Sequence, residues 1–306
     1  MNDEHPDRPA WSRESAAVRL PSEAASLADD AWLTSGADGT GVRVAIIDSG
    51  IDADHPDLHG RIDTAAGVAF TVDSDGAVQR DDGPHDDAFG HGTACAGIVH
   101  LLAPGARITS IKVLGAGLRG RVAAFHAGFR HAVEAGYDVI NLSLGTRKAD
   151  WALAFHELCD DAYFANSVVV TAANNLAQHS HPSLYASVVS VASNLATDPR
   201  RYHANPQPPT EFCARGIGVP VLWSGHGHGV VTGNSYAAAH IAGLAALVRS
   251  HRRHLRPFHV KAALWAGAAN VRDAGGAAGP PEVAGRLTRT LALTRGLSRP
   301  GSGDPG

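Results

Sequence analysis

The chain has 306 residues, of which 44% are hydrophobic, and it carries a formal net charge of −4 at pH 7. This hydrophobic content is enough for the core of one large domain or two small ones, and it excludes a disordered or fibrous protein. The charge provides neither a basic face for nucleic acid nor a polybasic segment for anionic lipid, so we expect neither nucleic acid nor a membrane as a partner. The N-terminal stretch lacks the apolar run of a signal peptide, and we therefore expect a cytoplasmic protein.

The predicted elements alternate between strands and helices along the chain. A polar arm over 1–21 and a short helix near 22–34 precede the first apolar run. Five runs rich in β-branched residues predict strands buried on both faces, at 41–52, 107–114, 138–144, 167–172 and 187–192. Four stretches predict helices, at 91–102, 121–135, 150–165 and 235–251. The alternation predicts an α/β fold with a doubly wound, mainly parallel sheet and helices on both faces.

One folded domain over 22–272 accounts for these elements. The remainder, 273–306, has the Gly- and Pro-rich composition of a tail, in which the apolar stretch 286–294 is a candidate to dock on the body. The three cysteines, Cys95, Cys159 and Cys213, are too few for a disulfide framework and match no zinc-site spacing. We expect them to be small buried hydrophobic residues in a reducing compartment.

Three residues are candidates for chemistry, although each also has a plain structural interpretation. Asp48 ends the first strand, where open α/β sheets bind ligands, but aspartate also begins turns. His91 stands between two glycines, which let a neighbouring chain or a substrate approach the ring closely but also suit a simple loop. Ser235 follows Gly-Asn at the start of an alanine-rich helix, where it is either a nucleophile or an ordinary N-cap.

Together the three residues supply what nucleophilic acyl transfer requires. The reaction needs a hydroxyl, a base that takes its proton near neutral pH, and an acid that orients the base and stabilises the imidazolium. Ser235, His91 and Asp48 offer one of each. We therefore expect the three side chains to form one hydrogen-bonded relay.

Three sequence blocks extend this agreement from single residues to their surroundings. They are VAIIDSGIDADHPDL at 44–58, HGTACAGIV at 91–99 and GNSYAAAHIAG at 233–243. They resemble the aspartate, histidine and serine blocks of the subtilisin-like serine proteases, the subtilase family. The resemblance implies a three-layer α/β/α fold and a serine endopeptidase that works through an acyl-enzyme on a peptide or protein substrate.

The resemblance also assigns an oxyanion hole. The segment VVVTAANN at 168–175 resembles the family's asparagine segment and places Asn175 in that role, with the backbone N–H of Ser235 as second donor. Asn174 stands where the family normally has glycine. Without the resemblance, Asn174 and Asn175 are a polar turn that ends a strand.

The remaining substrate contacts come from two further segments. NLSLG at 141–145 resembles the substrate-binding strand, so that Ser143, Leu144 and Gly145 would line a cleft for an extended peptide. The segment 179–191 resembles the first specificity pocket, in which Ser180 replaces a common glycine and indicates a narrower pocket.

The serine block departs from the family pattern at three positions. Asn234, Tyr236 and Ala239 replace the usual Thr, Met and Pro, so we expect unusual substrate choice. Because no oxidisable methionine follows the serine, we expect tolerance of peroxide, although Cys95 leaves a second route of oxidation open.

No cofactor is expected. The connection after the histidine helix lacks the longer loop that binds calcium in many secreted relatives, so that calcium site is expected to be missing. The acidic stretches within 73–87 are either a solvated loop or a weak ion site. His226 and His228 have no carboxylate or thiolate partner evident in sequence, so we expect surface or cleft histidines and no metal.

We expect neither a signal peptide nor a folding prodomain, and in this the sequence resembles intracellular or peptide-maturation subtilases with a narrow peptide or precursor-peptide substrate. An arm over 1–20 that blocks the cleft is one way to restrain such an enzyme. Two other functions remain open: a transpeptidase or macrocyclase that uses the same acyl-enzyme, and a catalytically inactive peptide-binding pseudoprotease. The oligomeric state is left open.

Overall fold

The computed structural model describes residues 29–33, 35–176 and 178–275. The predicted N-terminal arm, residues 22–28 and 34 of the predicted first helix, and the apolar stretch 286–294 lie outside these residues. What is described of the first helix is a 3₁₀ turn, Ala31–Leu33, whose Trp32 is buried and donates its Nε1–H to the carbonyl of Ala263 at 3.3 Å.

A central sheet organises the described residues. The strands are β1 (Arg43–Asp48), β2 (Val68–Val72), β3 (Val78–Asp82), β4 (Arg107–Lys112), β5 (Val139–Leu142), β6 (Val168–Ala172), β7 (Val189–Asn194), β8 (His203–Ala204), β9 (Phe212–Arg215), β10 (Val219–Trp223) and β11 (Gly227–Val231). Nine of them form one sheet in the order β3-β2-β4-β1-β5-β6-β7-β9-β8, and β10 pairs with β11 in a separate hairpin. Within the large sheet only the β2–β3 and β8–β9 pairs are antiparallel. The predicted mainly parallel sheet is confirmed.

Helices cover both faces of this sheet. They are α1 (His91–Leu102), α2 (Val122–Glu134), α3 (Ala152–Phe164), α4 (Asn234–His251), α5 (Pro257–Gly267) and α6 (Ala269–Gly275). In β1, Val44 and Ile46 join the core that contains α1 and α4, whereas Ala45 and Ile47 join the core that contains α2 and α3. Successive side chains of a strand point to opposite faces, so a strand covered on both sides reads as a continuous apolar run.

Helix α4 runs through one of the two cores. Every residue from Ser235 to Arg249 is buried, because small side chains let the helix pack closely on its neighbours. A methyl group on Gly243 would lie 2.9 Å from the side chain of Leu102 in α1. This packing fixes the position of the first turn of α4, which carries Ser235.

The predicted strands differ from the observed ones at their ends: the predicted 41–52 extends past β1 on both sides, whereas β7 continues two residues beyond the predicted 187–192. The sequence analysis did not predict the three antiparallel pairs, β2–β3, β8–β9 and β10–β11. All five residues of β3 are exposed, so that strand has no apolar alternation to reveal it. Part of the acidic region is therefore an edge strand and not a loop.

Cys95 and Cys159 are buried and Cys213 is half-buried, and all three are free thiols. The expectation of small buried residues is therefore confirmed for Cys95 and Cys159, and only in part for Cys213. In the described part of the chain, no helix is both long enough and apolar enough to cross a bilayer.

Candidate active site

The candidate residues meet at one edge of the sheet. Asp48 is the last residue of β1, Ser143 follows the end of β5, and Asn175 follows the end of β6. His91 begins α1, and Ser235 lies in the first turn of α4. Since the carboxyl ends of parallel strands share one edge, the topology gathers residues from distant parts of the chain.

Asp48 and His91 form a buried pair. The Nδ1 atom of His91 lies 2.9 and 2.8 Å from the two carboxylate oxygens of Asp48. Burial disfavours the imidazolium, but the charge and hydrogen bond of Asp48, with a smaller contribution from Asp87, outweigh it and raise the pKa of His91. The hydrogen bond keeps the Nδ1 proton on the Asp48 side, so Nε2 of the neutral ring is the atom that can accept a proton.

The glycines on either side of His91 are required by close packing. Gly92 faces the backbone of Gly50, whose carbonyl oxygen lies 2.0 Å from the position that a β-carbon on Gly92 would occupy. Gly90 has a φ of +114°, and a β-carbon on it would lie 2.3 Å from the ring of Trp223. Two other segments, one with Gly50 and one with Trp223, therefore approach the backbone closely on either side of His91.

Asp87 caps the helix that carries His91, a role that the sequence analysis missed. Its carboxylate accepts hydrogen bonds from the backbone N–H groups of Phe89, Gly90 and Thr93 at 3.0, 2.7 and 2.8 Å. The hydroxyls of Ser49 and Thr93 donate to it as well, each at 2.7 Å. Burial raises the pKa of Asp87, but these hydrogen bonds outweigh that effect and leave its pKa lowered. An acid four residues before the helical histidine was the available signal.

Ser235 is not an N-cap in this structure. The N-cap of α4 is Gly233, which has no side chain with which to cap the helix. The Ser235 hydroxyl instead donates to the carbonyl oxygen of Ser143 at 3.1 Å, while the Ser143 hydroxyl donates to the carbonyl of Ser235 at 3.2 Å. The expected Ser235–His91 bond is not formed, so the relay is complete only between Asp48 and His91. Ser235 and His91 nevertheless line the same cleft, of about 350 Å³.

Asn175 lines this cleft with its amide group oriented by the backbone. Its Oδ1 accepts the N–H of Asn234 at 2.9 Å, so the Nδ2 group is the free end of the amide. That group lies 3.9 Å from the position of a β-carbon on Gly233, directly before the nucleophile turn. The backbone N–H of Ser235, in the first turn of α4, has no intrahelical acceptor. Two donors thus belong to residues that line the cleft of Ser235.

Asn234 secures this arrangement, although the sequence marked it only as a departure from the family pattern. Its Nδ2 donates to the carbonyls of Ala173 and Asn174, each at 3.1 Å. Its Oδ1 accepts the N–H of Ser193 at 2.8 Å. One side chain therefore joins the ends of β6 and β7 to the turn that carries Ser235.

The predicted substrate residues line two neighbouring cavities. Ser143, Leu144 and Gly145 lie in the cleft with His91 and Ser235. Asn174 and Ser180 line a second cavity of about 220 Å³, together with Ser183 and Leu184. The cavities adjoin, since a β-carbon on Gly145 would lie 3.4 Å from the Ser180 hydroxyl.

The described residues do not fit the calcium site of the secreted relatives. Only residues 103–106 connect α1 to β4, and none of them has an oxygen in its side chain. The carbonyl of Ala103 already accepts the N–H of Ala106 at 3.0 Å. Calcium needs about six to eight oxygen ligands, which this connection cannot supply.

Comparisons with known proteins agree with this geometry. Residues 39–285 match the subtilase family. Subtilisin E from Bacillus subtilis is 31% identical over 232 residues, which cover 71% of this chain and 58% of that protein. Thermitase from Thermoactinomyces vulgaris is 31% identical over 229 residues, covering 71% of this chain and 78% of thermitase. The matched region thus spans less than two thirds of the length of several relatives.

Two solved structures have the same fold. The S41 psychrophilic protease superposes with a TM-score of 0.63 at 26% identity, over 74% of this chain and 83% of that one. A cold adapted subtilisin-like serine proteinase gives a TM-score of 0.61 at 23% identity, over 78% and 87%. With the family match over most of the chain, these findings establish that the protein belongs to the subtilase family.

Proposed function

We propose that the protein is a serine endopeptidase that hydrolyses peptide bonds through an acyl-enzyme. The observation that carries the proposal is that the buried Asp48–His91 pair opens into the same cleft as Ser235 and Asn175. A base with a raised pKa, an alcohol and an amide donor in one cleft are the groups that acyl transfer uses.

The mechanism follows from where each group lies. The Ser235 hydroxyl leaves the Ser143 carbonyl, gives its proton to Nε2 of His91, and its oxygen bonds to the carbonyl carbon of the substrate. The oxyanion that forms receives hydrogen bonds from Nδ2 of Asn175 and the backbone N–H of Ser235. His91 then returns the proton to the departing amine as the C–N bond breaks. Water repeats the sequence on the ester and releases the acid, while Asp48 stabilises the imidazolium in both halves.

The substrate binds as an extended strand beside residues 143–145. Among the described residues, the backbone groups of Leu144 and Gly145 have no hydrogen-bond partner, which leaves them available to pair with a peptide. Four apolar side chains also line this cleft, those of Leu114, Leu118, Val122 and Phe125. We expect an apolar side chain of the substrate to occupy this part of the cleft.

A narrow substrate range follows from the second cavity. Asn174 places a side chain in its wall, and its Oδ1 accepts the N–H of Leu176 at 3.0 Å, so the side chain is held in place. Ser180 and Ser183 lie at its base with their hydroxyls 3.3 Å apart. These polar groups favour a small or polar substrate side chain over a large apolar one.

The proposal is tested by labelling with a fluorophosphonate probe and by mass spectrometry of products from a peptide library. We expect the label on Ser235 and hydrolysed peptides, both lost in Ser235→Ala and both retained in Ser74→Ala, which changes an exposed serine in the β2–β3 turn. Ligated or cyclised products in place of hydrolysed ones would identify a transpeptidase. Peptide binding without label or cleavage would identify a pseudoprotease and refute the proposal.

A further inference from the structure

The β10–β11 hairpin brings two histidines against the loop that follows β1. The rings of His226 and His228 stand edge-on to the ring of buried His55, with centroids 6.2 and 5.3 Å away. Each of the two also has an acidic partner. His226 Nε2 lies 4.0 Å from a carboxylate oxygen of Asp52, and His228 Nε2 lies 3.1 Å from Oδ2 of Asp57. The sequence showed no carboxylate partner for these histidines, but the fold supplies two.

The distances within this cluster suit a metal ion. One ring nitrogen of His55, one carboxylate oxygen of Asp57 and one ring nitrogen of His228 all lie within 4.8 Å of one another. Bonds of about 2.0–2.2 Å to a tetrahedral zinc ion place ligand atoms roughly 3.3 Å apart. The His228–Asp57 pair already has this separation. The side chains of His228 and Asp57 are 66% and 58% exposed, so they can turn toward an ion without disturbing the core.

His55 is already oriented as metal-bound histidines usually are. Its Nε2–H donates to the carbonyl of Gly227 at 3.0 Å, while Nδ1 accepts the backbone N–H of Asp57 at 3.2 Å. Metal-ligating histidines commonly donate their second ring N–H to a backbone carbonyl, which fixes the tautomer. Binding through Nδ1 keeps the bond to Gly227 and gives up only the longer bond to Asp57.

Hydrogen bonds to Asp52 hold the tip of the β10–β11 hairpin against the loop that follows β1. The carboxylate of Asp52 accepts the backbone N–H groups of Gly225 and His226 at 3.0 and 3.1 Å. The backbone thereby engages Oδ2 of Asp52, and the exposed His226 ring, whose Nε2 lies 4.0 Å from Oδ1, is the candidate for a fourth ligand. Imidazole nitrogens with one carboxylate are the donors that zinc prefers, whereas calcium and magnesium prefer oxygen alone.

The other group of potential ligands in the described residues is unsuitable. Asp48, His91 and Cys95 also lie within 4.8 Å of one another, but both oxygens of Asp48 face Nδ1 of His91. Burial raises the pKa of Cys95, so its sulfur stays a protonated thiol, which is a poor zinc ligand. Zinc therefore has one favourable position in the part of the chain that the structure describes.

We propose that His55, Asp57 and His228 bind one zinc ion, with His226 or water in the fourth position. The ion joins the loop that follows Asp48 to the hairpin that leads into Ser235. It therefore stabilises the two segments that carry the acid and the nucleophile. None of its ligands lines the catalytic cleft, so zinc binding can be measured in a protein that lacks peptidase activity.

The test uses the Ser235→Ala protein, which prevents self-digestion, with zinc chloride as the only ligand. Titration calorimetry should give one ion per chain, and a zinc concentration 100-fold above Kd should raise Tm by about 5–10 °C. Cobalt bound at the same site should give the intense visible absorption of a four-coordinate ion.

Two variants and one matched control decide the assignment. His228→Ala and Asp57→Asn should each weaken zinc binding at least tenfold and remove the zinc-dependent rise in Tm. His156→Ala is the control, because His156 is also an exposed histidine beside an aspartate, with Nδ1 3.8 Å from Asp160, and it should bind zinc as the parent does. Each variant is checked for an unchanged Tm without metal.

The proposal is overturned if no one-to-one isotherm is observed. It is overturned equally if the isotherm survives both His228→Ala and Asp57→Asn, or if His156→Ala weakens binding as much as they do.

Discussion

Replacing Gly92 by alanine should separate His91 from Asp48. A β-carbon on Gly92 would lie 2.0 Å from the carbonyl oxygen of Gly50 and 3.2 Å from Cβ of Asp48. Gly50 cannot retreat, because it already packs against Asp86, whose carbonyl lies 2.4 Å from the position of a β-carbon on Gly50. Since such contacts need about 3.0 Å, the start of α1 must move away from β1 by roughly 1 Å.

The size of this shift determines how much catalytic activity and stability should be lost. The Asp48–His91 bonds of 2.8 and 2.9 Å would lengthen beyond hydrogen-bonding distance. A 1 Å misplacement of catalytic groups costs about 100-fold in rate, or roughly 2.7 kcal/mol of transition-state stabilisation. Overpacking also destabilises the fold, by about 1–3 kcal/mol.

The assay is kcat/KM on a fluorogenic peptide together with urea unfolding. Gly97→Ala is the matched control, because it makes the same substitution in the same helix and meets only the flexible side chain of Leu222, at 2.9–3.3 Å. We expect kcat/KM of Gly97→Ala to stay within about threefold of the parent, because a side chain can rotate away whereas a backbone carbonyl cannot. If Gly92→Ala is folded and also retains kcat/KM within that range, the geometric reasoning is refuted.

Four further predictions concern the same site. Asn175→Ala should lower kcat by about 10²–10³-fold with little change in KM, because the lost donor acts on the oxyanion; an equal loss in the neighbouring Asn174→Ala would contradict this. Because the pKa of His91 is raised, the acid limb of the kcat/KM profile should lie above the ordinary histidine pKa of about 6.5. Asp87→Asn should move that limb to lower pH, because it removes a negative charge that favours the imidazolium. Folding lowers the pKa of Asp87, so its carboxylate stabilises the fold above a pH of about 3.9. This stabilisation is lost as the pH falls through the pKa of Asp87 in the folded protein. The free energy of unfolding of Asp87→Asn, measured in urea, should therefore depend less on pH in that range. Activity should survive dilute peroxide, with sensitivity appearing in Tyr236→Met, because the only methionine is residue 1. Rapid inactivation of the parent protein would refute this last expectation.

The structure removes the second oxidation route that the sequence left open. Cys95 is completely buried, and burial raises the pKa of its thiol, so it does not form the thiolate that peroxide attacks. Tyr236 packs against the catalytic base, with its ring centroid 5.3 Å from that of His91. The residue that replaces methionine therefore supports the imidazole by contact and carries no sulfur.

The fold class and the candidate site residues could be predicted from contiguous sequence. An apolar run such as that of β1, a small-residue helix after Gly-His-Gly, and a serine at the start of α4 are local patterns. Each is set by the periodicity and conformational preferences of neighbouring residues. Elements without such a pattern were missed, as with β3, whose residues are all exposed.

Only the tertiary structure determined the contacts between residues that lie far apart in the chain. The sequence by itself determined that Asp48, His91 and Ser235 are an acid, a base and an alcohol in the order that a subtilase requires. Only the packing showed that Asp87 caps the histidine helix, that Ser235 donates to the carbonyl of Ser143, and that Asn234 joins three segments. Only the packing, likewise, placed His228 next to Asp57, 171 positions earlier. Hydrogen bonds depend on distances of a few tenths of an ångström, and those distances are set by how helices and strands pack, not by the order of residues along the chain.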